Sequence, residues 1–345
     1  MKILLDILHP AHVHFFRNAI TELRRQGCEV IVTARDKDLT LRLLNLYGIG
    51  YDCISREASS KKGLAWELLS RNVKLAQIVR REKPQVMASI GGISTAQVGF
   101  LTRTRNLIFY DTENAWVSNL LSYPLATAVV TPECYQGSVF GRHVTYPGYH
   151  ELAYLHPRRF TPDPQVLTSA GISPQSIFSV VRFVSWQALH DLHAAGFPLD
   201  AKRQLICALE EFGQVFITSE QQLPPEFQHL CFSLPPDQIH HFLAFAHLYV
   251  GESATMASES AMLGVPAIYL DRYGRGYTDE LERRYGLCHT YSSTQAERAI
   301  EKSREMLSLN IKHQSDFKSR VATMLSEKID VTAWIIKMLT TFSKA

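Results

Sequence analysis

The chain has 345 residues, more than one hydrophobic core comfortably serves and about right for two α/β domains. Apolar residues make up 46% and charged residues 20%, as in an ordinary globular protein, and a net charge of +3 implies no polyelectrolyte partner. No basic block or aromatic–basic interleaving points to nucleic acid.

The opening run MKILLDIL is apolar but too short for a signal segment or a spanning helix, and reads as a first strand. Further strand-like runs are expected at 29–34, 51–55, 85–90, 106–110 and 128–131, separated by helix-period segments at 14–26, 39–47, 64–81, 94–101 and near 116–121. Strands alternating with helices predict a parallel sheet covered on both faces. The segment YPGYHELAYLHPRRFTPDPQ (146–165) holds four prolines and no period, which suggests an interdomain linker at 151–170. A second alternating set follows, with strands at 177–183, 215–219, 248–250 and 267–270 and helices near 201–212, 238–246, 255–263 and 295–308. The expected organisation is a Rossmann-like domain over 1–150 and a second over 171–345, whose last helix, near 316–340, could cross back to the first. Ligands of such sheets bind beyond the carboxyl ends of the strands, in this case in a cleft between the domains. The six cysteines stand singly with no C-x-x-C pair, which predicts reduced thiols and a cytoplasmic protein with at most a peripheral membrane contact.

In the first domain, DILHPAHVHFF (6–16) ends a strand and starts a helix, with Pro10 at an early helical position and His9 at the strand end. His12 and His14 diverge by about 200° on that helix, a poor chelate, so no metal site is expected. His12 is a candidate general base or phosphate partner; the alternative is a packed, satisfied histidine. In SIGGIS (89–94), Gly91 and Gly92 allow close backbone approach and Ser94 can cap the next helix. YDTEN (110–114) places Asp111 and Glu113 at the same rim, with one of them expected to face the cleft. The segment 61–84 reads as a basic amphipathic helix with Leu64, Leu68, Val73 and Ile78 inward, either a solvated cationic face or a surface that rests on a membrane.

The most informative stretch is GESATMASESAMLGVP (251–266). Gly251 lets the chain turn, Ser253 or Thr255 can serve as N-cap, and the first-turn amides form an anion site. Gly264 suits the left-handed position after the helix, and Pro266 prevents continuation. Glu259 lies about 6 Å beyond Thr255 along the axis, too far for a phosphate at the helix start but suited to a diol one sugar away. A plain strand–turn–helix joint with a solvent-facing glutamate is the alternative.

The longer segment IHHFLAFAHLYVGESATMASESAMLGVPAIYLD (239–271) resembles the nucleotide-sugar-binding segment of GT-B glycosyltransferases and UDP-N-acetylglucosamine 2-epimerases. Over nearly its full length the chain resembles DUF354, an uncharacterised family within that superfamily. DILHPAHVHFFR (6–17), VTARD (32–36), SIGGIS (89–94), YDTENA (110–115) and VVRFVSWQALHD (180–191) carry the likeness. The resemblance implies a GT-B-like α/β fold of two doubly wound, Rossmann-like parallel-sheet domains facing each other across a cleft. It implies that Ser253, Ala254 and Thr255 meet a diphosphate, that Glu259 meets the ribose, and that the loop 233–237, including Leu234, lines the base. Arg182 would add charge to the leaving diphosphate, or else form a salt bridge. Tyr277, Thr278 and Asp279 would face the donor sugar. The epimerases have an active-site glutamate at the position of Glu113. They also have an aspartate after the fourth-strand glycine and a basic first loop, where this chain has Gly92-Ile93 and His-Pro-Ala-His.

The expected function is a metal-independent glycosyltransferase in cell-surface polysaccharide or glycoconjugate synthesis. Its donor would be a nucleoside-diphosphate sugar, its acceptor a glycan or a lipid-linked molecule, and it would need no cofactor. Arg182 and the helix start would stabilise the diphosphate, and His12, Asp111 or Glu113 would deprotonate the acceptor. A nucleotide-sugar 2-epimerase or hydrolase is the alternative, and a non-catalytic nucleotide-sugar-binding protein a third.

Overall fold

The computed structural model describes residues 1–113, 115–183, 197–219, 222–271, 274–312 and 314–344. The chain divides into two compact units, Met1–Arg159 with Lys328–Ala345, and Phe160–Glu327.

The first unit alternates strand and helix: β1 (Lys2–Ile7), α1 (Pro10–Arg25), β2 (Glu29–Asp36), α2 (Thr40–Leu46), β3 (Asp52–Arg56), α3 (Lys61–Glu82), β4 (Val86–Ile90), α4 (Ile93–Thr102), β5 (Arg105–Phe109), α5 (Trp116–Ser122), β6 (Ala128–Pro132), β7 (His143–Tyr146) and α6 (Leu152–Leu155). The strands form one parallel sheet in the order β3-β2-β1-β4-β5-β6-β7. Strand order reverses between β1 and β4, and a crevice opens at such a point because the flanking helices leave to opposite faces. In keeping with this, α1 packs against α2 while α3, α4 and α5 pack side by side. The edge strand β7 was not expected from the sequence: HVTY is short and mostly outside the core, so it lacks the apolar run of its neighbours.

Apart from Lys2 at its start, strand β1 is apolar except at Asp6, which is fully buried and paired in register with Thr33 and Ser89. Its carboxylate accepts hydrogen bonds from Thr33 (2.6 Å), Thr95 (3.2 Å) and Arg71 of α3, and Arg71 also reaches the Ser55 hydroxyl at 2.7 Å. One turn earlier, Glu67 makes a bidentate pair with Arg35 of β2 at 2.6 and 2.8 Å. The inward face of α3 is therefore Glu67, Arg71, Leu75, Ile78 and Val79. Leu64 and Val73, expected inward, are exposed, because the two charged residues take the inward positions and rotate the apolar face of the first turns to the surface.

The second unit comprises α7 (Gln165–Ser169), β8 (Phe178–Phe183), α8 (Leu199–Glu210), β9 (Gln214–Ser219), α9 (Ile239–Leu243), β10 (Leu248–Gly251), α10 (Ala254–Met262), β11 (Ala267–Leu270), α11 (Gly276–Glu280), β12 (Cys288–Tyr291), α12 (Ala296–Lys312) and α13 (Gln314–Glu327). Its parallel sheet runs β12-β11-β10-β8-β9, and the order reverses between β8 and β10. Phe178, Phe216, Phe232 and Phe242 pack together beside this sheet, with Phe232 and Phe242 stacked 4.5 Å apart.

The expected single C-terminal helix is two: α13 ends at Glu327 in the second unit, and α14 (Val331–Lys344) belongs to the first. Trp334 meets Phe109 of β5 and lies 4.7 Å from the Tyr146 ring, while Thr332 bonds the Ala153 carbonyl at 2.6 Å and Asp330 pairs with Arg159 at 2.8 Å.

Breaking a buried ion pair from one side leaves an uncompensated charge, so Arg71→Met is expected to lower the unfolding free energy by about 3–5 kcal/mol in urea titrations. The Asp6→Leu, Arg71→Met double variant should recover most of that loss. A single variant within 1 kcal/mol of wild type (roughly the surface limit) would show that the pair does not anchor α3.

Candidate functional site

The two strand-order reversals carry part of the set singled out from the sequence: His9, His12, Gly91 and Gly92 at the first, Arg182 and Ser253 to Thr255 at the second. In the first unit, His9 is the N-cap of α1, extended at φ −155°, and its Nδ1 accepts from the Ala11 amide at 3.2 Å. It is about half exposed and lies 3.8 Å from Asp38. His12 follows on the first turn, and its Nδ1 accepts from the Leu8 amide at 3.2 Å. Burial, with His9 and His150 nearby, holds the His12 imidazole well below its ordinary pKa. The ring is thus neutral at pH 7, and with Nδ1 accepting, the hydrogen-bond pattern assigns its proton to Nε2. In that tautomer the free edge of His12 presents an Nε2–H donor. His14 points elsewhere, buried beside Tyr154 and 3.4 Å from the Tyr47 hydroxyl.

At the end of β4, Gly91 adopts φ +55°, and a Cβ there would lie 2.7 Å from the Tyr110 ring, so only glycine fits. Gly92 is the N-cap of α4 without a side-chain bond. Ser94, expected to cap, lies inside the first turn because the helix starts at Ile93; its hydroxyl is buried and makes no hydrogen bond.

Beyond β5 the two acids separate. Glu113 accepts from the Gln136 amide at 3.3 Å. Asp111 turns to His150, 3.0 Å from its Nδ1. Burial would raise the Asp111 carboxyl, but the charge and hydrogen bond of His150, with a bond from Thr112, hold it below the ordinary carboxylate range. His150 lies in the segment after β7 that the sequence presents as linker. It is buried against Phe15, whose ring centre is 4.5 Å away, and parallel to Tyr146. Its Nε2 is buried without a hydrogen bond. An ionised Asp111 beside a neutral His12 gives this rim both a hydrogen-bond acceptor and a donor. Asn114, part of the YDTENA likeness, is outside the described residues.

In the second unit, Arg182, the last residue but one of β8, lies opposite Gly251 of β10. The Glu252 amide donates to the Arg182 carbonyl at 2.9 Å, and a Cβ on Gly251 would lie 2.4 Å from that oxygen. The strands can close together only because residue 251 is glycine. Glu252 is in turn fixed by the buried Lys202 of α8 at 3.3 Å and by the Phe197 amide at 2.9 Å. Ser253 is the N-cap of α10, its Oγ accepting from the Met256 amide at 3.3 Å. Ala254 and Thr255 form the half-exposed first turn. Gly264, at φ +82°, ends the helix. The remaining residues of the VVRFVSWQALHD likeness, 184–191, are outside the described residues.

Glu259, Tyr277 and Thr278 lie buried in the fold. Glu259 is not displayed as an open diol acceptor: it is 5% exposed, and its Oε1 lies 2.8 Å from Nε2 of His240 on α9. It sits in the second turn of α10, beneath α9 rather than at the helix mouth. Tyr277 and Thr278 are buried, and Thr278 is occupied in closing α11, its hydroxyl accepting from the Arg275 amide at 2.8 Å. Only Asp279 of that trio is half-exposed, folded against Gly274. Leu234 is half-buried in the loop that follows Cys231, which bridges Ile217 of β9, and in the same loop Asp237 Oδ1 is buried without a partner. Among the described residues no group of three or more His, Cys, Asp or Glu is placed to hold a metal.

Two parallel doubly wound sheets, each with its candidate residues at the strand-order reversal, define an α/β protein of the GT-B kind, the fold of its solved neighbours. Residues 1–147 match the family described as "Protein of unknown function (DUF354)". An uncharacterised protein of Methanocaldococcus jannaschii is 22% identical over 282 residues, 78% of this chain and 81% of its own length. The UDP-GlcNAc 2-epimerase of Neisseria meningitidis, solved with UDP-GlcNAc, aligns with a TM-score of 0.70 at 12% identity, covering 99% of this chain and 100% of that one. Spinosyn rhamnosyltransferase SpnG, complexed with thymidine diphosphate, gives 0.64 at 15% identity over 98% and 100%. MurG of Acinetobacter baumannii gives 0.60 at 13% over 99% and 100%.

Replacing His150 with leucine removes the group that opposes burial at Asp111, so the Asp111 pKa should rise above the ordinary carboxylate value in a carboxyl-carbon NMR titration. In the wild type the depressed pKa contributes stability that is present above about pH 3.9 and lost as pH falls through the folded value. Acid unfolding of the variant should therefore begin at higher pH; an unshifted Asp111 would refute the pairing.

Proposed function

We propose that the chain is a GT-B-type glycosyltransferase that takes a nucleoside-diphosphate sugar as donor. The observation that carries this reading is the mouth of α10: a Ser253-capped helix start at the β8/β10 reversal, with Arg182 on the adjoining strand. First-turn amides and a guanidinium together suit a diphosphate, whose charge grows as the sugar leaves. The ligands named for the neighbours, UDP-GlcNAc and thymidine diphosphate, are of that class.

Glu259 keeps its ribose role in a modified form. His240 Nε2, 2.8 Å from one oxygen, orients the carboxylate in the second turn of α10, where it would accept from a ribose diol. The unpartnered Asp237 oxygen offers an acceptor to a base N–H in the loop that includes Leu234. In the first unit Asp111 would take the acceptor hydroxyl's proton while His12 donates a hydrogen bond to a substrate oxygen. The acceptor would be a glycan or a lipid-linked molecule of cell-surface polysaccharide or glycoconjugate synthesis, and the setting cytoplasmic.

A second reading, a nucleotide-sugar 2-epimerase or hydrolase, is favoured by the full-length likeness to the Neisseria epimerase. Incubation with UDP-GlcNAc alone in heavy water separates the two, since ring-carbon deuterium incorporation requires no acceptor. Glu259→Ala should weaken UDP binding by about 2 kcal/mol in calorimetric titration, the size of a charge-assisted hydrogen bond. His240→Ala should weaken it less, because the carboxylate remains. Unchanged affinity in Glu259→Ala would sink the ribose assignment.

A further inference from the structure

Beyond β9 of the second unit, the loop 233–237 (SLPPD) carries a carboxylate that the fold leaves short of partners. Cys231 bridges Ile217 in parallel, and the Phe232 amide donates to the Ile217 carbonyl at 2.9 Å, so the chain runs alongside β9 here. It delivers the loop to the carboxyl edge of the sheet, the edge where Arg182 and the start of α10 stand. Asp237 is half-buried, and its Oδ1 is sequestered without a hydrogen bond; no lysine or arginine among the described residues pairs with it. Nor does it cap α9, whose N-cap is Gln238 with no side-chain bond. A buried oxygen of this kind calls for a donor.

A role for Asp237 in base recognition rests on the donor-site reading, with the diphosphate at Ser253 to Thr255 and the ribose at Glu259. Glu259 meets His240, and His240 follows Asp237 by three residues. The path from the start of α10 through Glu259 and His240 thus leads to the loop that holds Asp237. In a nucleotide, the base continues beyond the ribose on the side away from the diphosphate.

The chemistry of the loop selects among the bases. Pro235 and Pro236 have no amide hydrogen and a carboxylate only accepts, so the loop is rich in acceptors and poor in donors. Uracil and thymine present one N–H between two carbonyl oxygens, which a carboxylate would repel. Adenine and cytosine set one donor beside a ring-nitrogen acceptor. Guanine alone offers two adjacent donors, N1–H and the N2 amine, which match the two oxygens of a carboxylate. We infer that the donor site takes guanine, with Asp237 accepting from N1–H and the N2 amine, and that the donor is a guanosine-diphosphate sugar.

The test is calorimetric titration of the full chain with GDP, UDP, ADP, inosine diphosphate and xanthosine diphosphate, which share their diphosphate and ribose. GDP should bind about tenfold or more tighter than UDP or ADP. Inosine diphosphate, which keeps N1–H but lacks the amine, should fall between GDP and UDP. In Asp237→Asn one acceptor becomes a donor, so GDP should weaken about tenfold. Xanthosine diphosphate, with N1–H beside a C2 carbonyl, should bind this variant more tightly than it binds wild type. A misfolded variant would weaken every nucleotide and strengthen none; the order of affinities in wild type then decides the matter. UDP or ADP binding as tightly as GDP overturns the inference and leaves the donor site standing. So does a preference for GDP that Asp237→Asn leaves unchanged. If no diphosphate binds, the donor-site reading fails and the base assignment falls with it.

Discussion

Everything in this molecule follows from one constraint: parallel strands are joined by right-handed crossovers, so a sheet that grows first one way and then the other must send its helices to opposite faces. The reversal occurs once in each unit, between β1 and β4 and between β8 and β10. At each reversal the departing helices diverge, and the chain ends of two neighbouring strands are left uncovered. His9 and His12, Gly91 and Gly92 stand at the first; Arg182 and Gly251 to Thr255 stand at the second. The same reversal gathers α3, α4 and α5 on one face, away from α1 and α14.

Behind each reversal lie buried charges that position rather than react. Arg71 reaches through the base of α3 to Asp6, Arg35 to Glu67, Lys202 to Glu252, and His240 to Glu259. Such pairs add little net stability, since desolvation offsets most of their attraction. Their geometry is directional, however, and each ties a helix or loop beside a rim to its neighbour. Burial pulls the Lys202 ammonium below its ordinary pKa, opposed by Glu252; for Glu67, burial is outweighed by Arg35 and the Ala58 amide, which hold its carboxyl down. In both pairs the partner charge acts to keep the buried group ionised.

How much of this was legible in the sequence depends on range. Strands such as β1, β4 and β11 are mostly apolar runs, and local pattern suffices to locate them; β7 and β12 are short and largely polar, and it does not. The α10 joint is legible because capping, turn and termination are local: Ser253, Gly251 and Gly264 each act within a few residues. His150 is not, because its role depends on Asp111 thirty-nine residues earlier in the chain. Its setting, a proline-rich stretch without period, reads as linker. Leu64 and Val73 were misplaced for a related reason: hydrophobic periodicity assumes that charged residues face out, and Glu67 and Arg71 are turned in by partners on β2 and β1.

The glutamate of GESATMASES illustrates the same limit in a functional residue. Spacing alone puts Glu259 a turn beyond the helix start, and in the fold it lies in the second turn of α10. Spacing says nothing about what lies across from it, and His240 lies there at 2.8 Å. A carboxylate left open would be solvated and free to change rotamer; one already bonded to a buried histidine is oriented before a ligand arrives, and the ordering cost is met by the fold. The first unit follows the same logic with different groups, His12 neutral with Nδ1 occupied and Asp111 ionised with His150 attached. In both units the residue expected to meet substrate already makes a hydrogen bond that sets its orientation, and its remaining capacity defines what it can recognise.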